Sequence, residues 1–317
     1  MKQRDGDKPM MAQLTMGPIL FHWPAEKKRD FYFRIADEAP VETVYLGEVI
    51  CSKRTPFFEQ HYSEVAERLM AGGKKVVFCS LAEIMIPRER KMTEGLCEQE
   101  DFEVEANDAA ALYHLRGEPH RIGQYFNVYN EDVMQHLASN GATHFTLPTE
   151  LPAESISALG QKADDIGVGL EVQVFGRVGL ALSARCYHAR AHGRVKDNCQ
   201  FVCEEDPDGM ILKTLEEKDF LCVNGVQTLS YTYLNLVYEL HEMVDMGVKS
   251  FRLSPHTHDM KQVACLFRNV LDKKIDANEA EARLKELIPS VSFSNGFYHK
   301  TLGYTWHKRI EEAVIHN

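Results

Sequence analysis

Cys186, Cys199 and Cys203 lie within one segment, SARCYHARAHGRVKDNCQFVC (183–203), at the spacing C-x12-C-x3-C. Thiolates that can reach one another hold soft metals or clusters, so the segment is a candidate metal site. Spacing alone leaves zinc, iron–sulfur and unmetallated thiols open, with zinc slightly ahead. Structural zinc knuckles usually carry tighter C-x2-C pairs, whereas this segment has only one short pair. Arg185, Arg190, Arg194 and Lys196, with His188 and His192, surround the cysteines in sequence. Cations stabilise thiolates and would offset the negative charge of a four-thiolate centre. The plainer reading of the same residues is a solvated basic loop.

A fourth ligand must come from elsewhere. Cys51, in VYLGEVICSKR (44–54), is the distant candidate, and Cys222, in DFLCVNG (219–225), is its competitor because it closes the same stretch as the other three. Cys79 ends a strand-like run, while Cys97 and Cys265 sit in helical patterns where an isolated cysteine is usually a small core residue. Arg252 and Ser254, together with Arg185, are the candidate substrate contacts, since a guanidinium offers a fork to a carboxylate. A structural salt bridge is the equal alternative for Arg252. Lys53 and Arg54 could serve an anion or a charged surface. His256 and His258 beside Asp259, in RLSPHTHDM (252–260), could bind a metal, but a solvated loop or helix cap fits their weak spacing better. Trp23, Tyr45 and Phe175 line a pocket or, by default, pack in the core. The chain has no H-E-x-x-H, G-x-S-x-G, P-loop or dinucleotide fingerprint.

The elements that must position these residues alternate in type. Strand-like runs fall at 13–21, 42–48, 74–79, 102–106, 120–124, 143–148, 169–176 and 249–255. Helical periodicity falls between them at Phe57–Met70, Asn130–Ser139, Ala153–Ala163 and Leu229–Met246, with a last pattern near Glu279–Leu287. Eight such repeats favour an α/β fold of the closed (β/α)8 TIM-barrel type over an open doubly wound sheet. Residues 1–12 read as a flexible extension and 13–317 as one barrel-like domain. Within it, 177–228 form an insertion after the seventh strand that carries the cysteine segment. Loops leaving the C-terminal ends of parallel strands emerge on one face, so Cys51 after the second strand could meet Cys186, Cys199 and Cys203 there.

Composition limits the function classes. The 317 residues carry 47 acids against 36 bases, a formal net charge of −11, which disfavours broad attraction to nucleic acid or anionic lipid. Residues 1–12 lack the apolar core of a signal peptide, and no run approaches the roughly 18 apolar residues of a membrane span. A cytoplasmic location is expected, where eight cysteines point to metal ligation or burial rather than disulfides.

The stretch EVQVFGRVGLALSARC (171–186) resembles the signature of the collagenase-like peptidase family, E-x-F-x-x-G-x-x-C through to S-G-R-C. Glu171, Gly176, Ser183, Arg185 and Cys186 match it. Gln173 replaces its Phe, Ala184 its second glycine, and Gly179 stands where its first cysteine would be. YLGEVICSKR (45–54), FLCVNGVQTLS (220–230) and FRLSP (251–255) extend the resemblance over nearly the whole chain after about residue 13. Members lacking that first cysteine use an upstream one. The resemblance therefore implies a [4Fe–4S] cluster on Cys51, Cys186, Cys199 and Cys203, and leaves Cys222 an ordinary residue. It further implies a heterodimer with a related family member, acting in oxygen-independent hydroxylation during ubiquinone biosynthesis on a ubiquinone precursor, with a prephenate-like small molecule as proposed oxygen source. An RNA-modifying hydroxylase of the same family and a non-catalytic metal-stapled scaffold are the alternatives. Peptidase chemistry is not expected.

Overall fold

The computed structural model describes residues 12–308, so residues 1–11 of the expected extension lie outside the described residues. Seven strands follow one another in parallel register: β1 (Gln13–Met16), β2 (Thr43–Leu46), β3 (Lys75–Cys79), β4 (Glu103–Ala106), β5 (His120–Ile122), β6 (Ala142–Thr146) and β7 (Gly169–Leu182). An antiparallel excursion comes next, β8 (Met210–Lys213), β9 (Asp219–Asn224) and β10 (Gln227–Asn235). The eighth barrel strand, β11 (Ser250–Leu253), pairs in parallel with both β7 and β1 and closes the barrel. A short β12 (Phe293–Ser294) joins the edge of β10 through the register Tyr233 to Phe293.

Helices cover the outside, so barrel strands are buried on both faces. All four residues of β2 are buried. The helix Met260–Leu271 illustrates the outer packing: Met260, Val263, Ala264, Phe267 and Val270 recur at helical spacing and are buried. Asp259 caps its first turn by accepting from the Gln262 amide at 3.2 Å, so the cap reading of RLSPHTHDM holds for this residue.

Inside the barrel, alternate residues meet as polar groups. Glu171 on β7 accepts from Tyr45 at 2.6 Å, Thr146 at 3.1 Å and Arg252 at 2.8 Å, and Thr15 bonds its other oxygen. Arg252 also spans Glu105 at 2.5 and 3.3 Å and lies over the Tyr45 ring at 3.8 Å. The alternation of FEVEA and SFRL is the sequence form of this arrangement, with apolar residues against the helices and charges inward.

Two features differ from the sequence reading. β7 does not end at residue 176 but continues to Leu182, pairing antiparallel with β10, which occupies residues read as the start of a helix from Leu229 to Met246. The helix there is confined to Leu240–Asp245. TLSYTY, rich in Thr and Tyr, favours a strand, and the helical spacing of Leu236, Leu240 and Met243 belongs to the following turn. The long β7 bends as it leaves the barrel at Gly176, whose φ of +105° suits glycine. A Cβ there would lie 2.8 Å from Ser254 Cβ and 2.9 Å from His256 Nε2.

Candidate metal centre

Each thiol is set by its own local structure. Cys51 follows β2 and precedes a one-turn helix, Ser52–Arg54. The Glu48 carboxylate accepts from the amides of Ile50 at 3.1 Å and Cys51 at 3.0 Å, fixing this turn. Cys186 caps the helix Tyr187–Ala191, its sulfur accepting from the Ala189 amide at 3.4 Å. Between Cys199 and Cys203, Gln200 and Phe201 take left-handed φ of 48° and 53°, which turns the chain back on itself.

The four come together at the C-terminal mouth of the barrel. Cys186 feels the charges of Cys51 and Cys199, and Cys203 those of Cys186 and Cys199. Lys53 Nζ donates to the carbonyls of Lys196 at 2.6 Å and Asp197 at 3.2 Å, tying the Cys51 turn to the segment bearing the other three. Burial pushes the thiols of Cys51, Cys186 and Cys203 above their ordinary range, against the pull of Arg54. Arg54 is buried, acts on the Cys203 thiol through its charge, and donates to the Leu20 carbonyl at 2.8 Å and Asn224 Oδ1 at 2.9 Å.

Arg54 is thus a cation that acts on Cys51, Cys186 and Cys203 alike, while Lys196, one of the interleaved bases, acts on Cys51. Arg185 and Arg190 are exposed, and His188 is buried against Asp206 at 2.8 Å. Among the described residues, the one group of three whose ligand atoms all lie within 4.8 Å of one another is His188, His192 and Asp206.

The other cysteines stand apart. Cys222 is buried with its sulfur 3.6 Å from the Asp208 carbonyl, and burial pushes its thiol up to about 11. Cys79 contacts Glu105 at 3.5 Å, and Cys97 the Ala111 carbonyl at 3.8 Å.

Arg252, Ser254 and Arg185 do not converge. The Arg252 guanidinium is committed to Glu105, Glu171 and Thr146 within the barrel, the structural salt-bridge alternative. Burial would raise the Glu171 carboxyl, but Arg252 and His144 outweigh it and hold it well below the usual range. Ser254 is buried beneath Gly176, and Arg185 is exposed. Trp23 donates to the Pro207 carbonyl at 2.6 Å, and Phe175 packs edge-on against Tyr233 and Phe267, so both are core residues.

Sequence reasoning missed the bolt between excursion and barrel. His256 accepts from the Arg177 amide at 3.1 Å, meets Asp208 at 3.2 Å and stacks on Tyr233 at 4.2 Å. Asp208 also accepts from the Thr257 amide at 2.9 Å. Against the solvated-loop reading, His256 is fully buried, because its carboxylate partner, 48 residues upstream, packs onto it from the excursion.

With this geometry in view, the comparison with known families is decisive for kinship. Residues 25–308 match Peptidase family U32. The chain belongs to that family. The signature-like stretch 171–186, including the bend at Gly176, lies inside the matched region of this U32 member. Among solved structures, it is similar to an uncharacterized B. cereus protein at 10% identity and a TM-score of 0.42, covering 83% of this chain and 64% of that one. It is also similar to phospho-2-dehydro-3-deoxyheptonate aldolase from Thermotoga maritima at 11% identity and a TM-score of 0.42, covering 90% and 72%. Among the described residues no helix is long and apolar enough to cross a membrane.

Proposed function

We propose that Cys51, Cys186, Cys199 and Cys203 hold a [4Fe–4S] cluster, and that the chain is a UbiV-like protein. In this reading it acts with a UbiU-like partner, as a heterodimer, in oxygen-independent hydroxylation of a ubiquinone precursor. The observation that carries the cluster reading is the convergence of four thiols around one buried guanidinium. Four thiolates are the usual ligand set of a cubane cluster. Such a cluster would supply one-electron redox chemistry at the barrel mouth.

The chain's own groups have definite parts in this reading. Glu48 presets the Cys51 turn, Lys53 latches it to the cysteine segment, and Arg54 offsets thiolate charge from a buried position. The RNA-modifying alternative would call for a basic surface, against which the net charge of −11 weighs. The test is anaerobic co-expression with the UbiU-like partner in cells lacking both proteins. Restored anaerobic quinone synthesis and co-purification of the pair are expected. Normal quinone levels in the cells lacking both, with a missing RNA modification, would favour the RNA reading instead.

A further inference from the structure

The segment between Cys186 and Cys203 carries a second set of ligand groups. His188 lies in the helix Tyr187–Ala191 and His192 just past its end, one turn on, so both imidazoles share one face. Their rings stack with centroids 5.5 Å apart and planes 14° from parallel. Asp206 follows the one-turn helix Val202–Glu204 and meets the same face, its Oδ2 lying 2.8 Å from His188 Nε2. One ligand atom from each of the three lies within 4.8 Å of those of the other two.

Three features separate this group from an ordinary histidine–carboxylate pair. His192 is already oriented: its Nδ1 donates to the His188 carbonyl at 2.9 Å, which leaves Nε2 of the neutral ring unprotonated and turned to ligation. His188 Nδ1 is buried without a hydrogen-bond partner. The ring can therefore carry its proton on Nδ1 when an ion takes Nε2, and no hydrogen bond at Nδ1 is broken. The third feature is charge. Glu205 brings a second carboxylate to 4.0 Å from His192 Nε2, and among the described residues no lysine or arginine pairs with Asp206 or Glu205. Two carboxylates without a cationic partner match the charge of a divalent ion. Asp206 also acts on His188 more strongly than the charge of Arg54 does.

We propose that His188, His192 and Asp206 bind a zinc ion at a site distinct from the four thiols. Two imidazoles and a carboxylate are an established zinc ligand set, with water in the remaining position. Imidazole ligands select against calcium and magnesium, which take oxygen donors. His188 is buried, Asp206 half-buried and His192 exposed, so the group is anchored on one side and open to an entering ion on the other. Its place in the chain gives the ion a role. Cys186 caps the helix that carries His188, and Cys203 lies in the turn that leads to Asp206. An ion held here ties the backbone around Cys186 to the backbone around Cys203, and so sets two of the thiols without using either as a ligand.

The test uses the full chain purified anaerobically, incubated with zinc chloride and freed of excess, with zinc content, affinity by chelator competition and X-ray absorption at the zinc edge as readouts. Iron, sulfide and circular dichroism are measured on the same samples. Wild type is expected to bind one zinc per chain, with nitrogen and oxygen neighbours at about 2.0–2.2 Å and no sulfur at about 2.3 Å. His192→Ala, a change at an exposed side chain, is expected to lose the zinc. Asp206→Asn, which keeps the shape and a hydrogen bond to His188, is expected to weaken zinc binding at least about tenfold, with iron and fold unchanged. Wild type that takes up no zinc at micromolar concentration, zinc with sulfur neighbours, or full zinc in His192→Ala overturns the proposal. Zinc on nitrogen and oxygen in a protein that carries no iron would support this site while removing the cluster reading.

Discussion

At the scale of single residues, burial decides what each charged or thiol group does. Arg252 had an anion-binding reading and a salt-bridge reading, and its neighbours settle the matter. Two carboxylates, a threonine hydroxyl and an aromatic face occupy the guanidinium. Removing one partner from such a network leaves uncompensated buried charge, so Arg252→Ala is expected to destabilise the fold by about 3–5 kcal/mol, read by chemical denaturation. A loss under about 1 kcal/mol, with ligand affinity impaired instead, would return Arg252 to a binding role. The same logic separates the cysteines. Their types and spacing were legible, but the placing of Arg54's charge beside Cys203 was not, because the two are about 150 positions apart in sequence. The cations written next to the cysteines drew attention to a loop whose charges largely face solvent.

At the scale of elements, the eight barrel strands could be read as short apolar runs with inward polar alternates, and their parallel order followed from the intervening helices. The excursion could not. β8, β9 and β10 are stabilised by pairing with one another and with the extension of β7, a non-local arrangement that leaves only Thr- and Tyr-rich composition as a trace. Its attachment to the barrel through Asp208 makes a pH prediction. Burial would raise this carboxyl, but His256 and Thr257 outweigh it and hold it down to about 2. His256 is itself lowered by burial, so near neutrality it is a neutral ring donating from Nδ1 while Nε2 accepts from Arg177. Because Asp208 is depressed in the folded chain, its contribution is complete above about pH 4 and is lost as pH falls through about 2. That contribution is of order 2 kcal/mol. Asp208→Asn is expected to lower stability at pH 7 and flatten the acid limb of the stability curve; an unchanged limb would show that the bolt lies elsewhere.

At the scale of the whole molecule, a closed barrel gathers distant loops onto one face, which is how Cys51 comes to lie with thiols 135 to 152 positions later in the chain. Closure itself was inferable from the strand count, whereas the latch from Lys53 to the Lys196 and Asp197 carbonyls was not, since it joins residues more than 140 positions apart. If a metal centre clasps the excursion to the barrel, its removal should loosen one and spare the other. Hydrogen exchange after chelation under reducing conditions is expected to accelerate in residues 183–206, while β1 to β6 and β11 keep their protection. Uniform loss of protection would mean that the metal supports the entire fold. The central claim is the four-thiolate cluster, and iron and acid-labile sulfide analysis of anaerobically purified protein tests it most directly. Equal amounts of iron and sulfide are expected in the wild type and in Cys222→Ala, and loss of both in Cys51→Ala, Cys186→Ala, Cys199→Ala and Cys203→Ala. Bound zinc without sulfide, or full iron in Cys51→Ala, would contradict it.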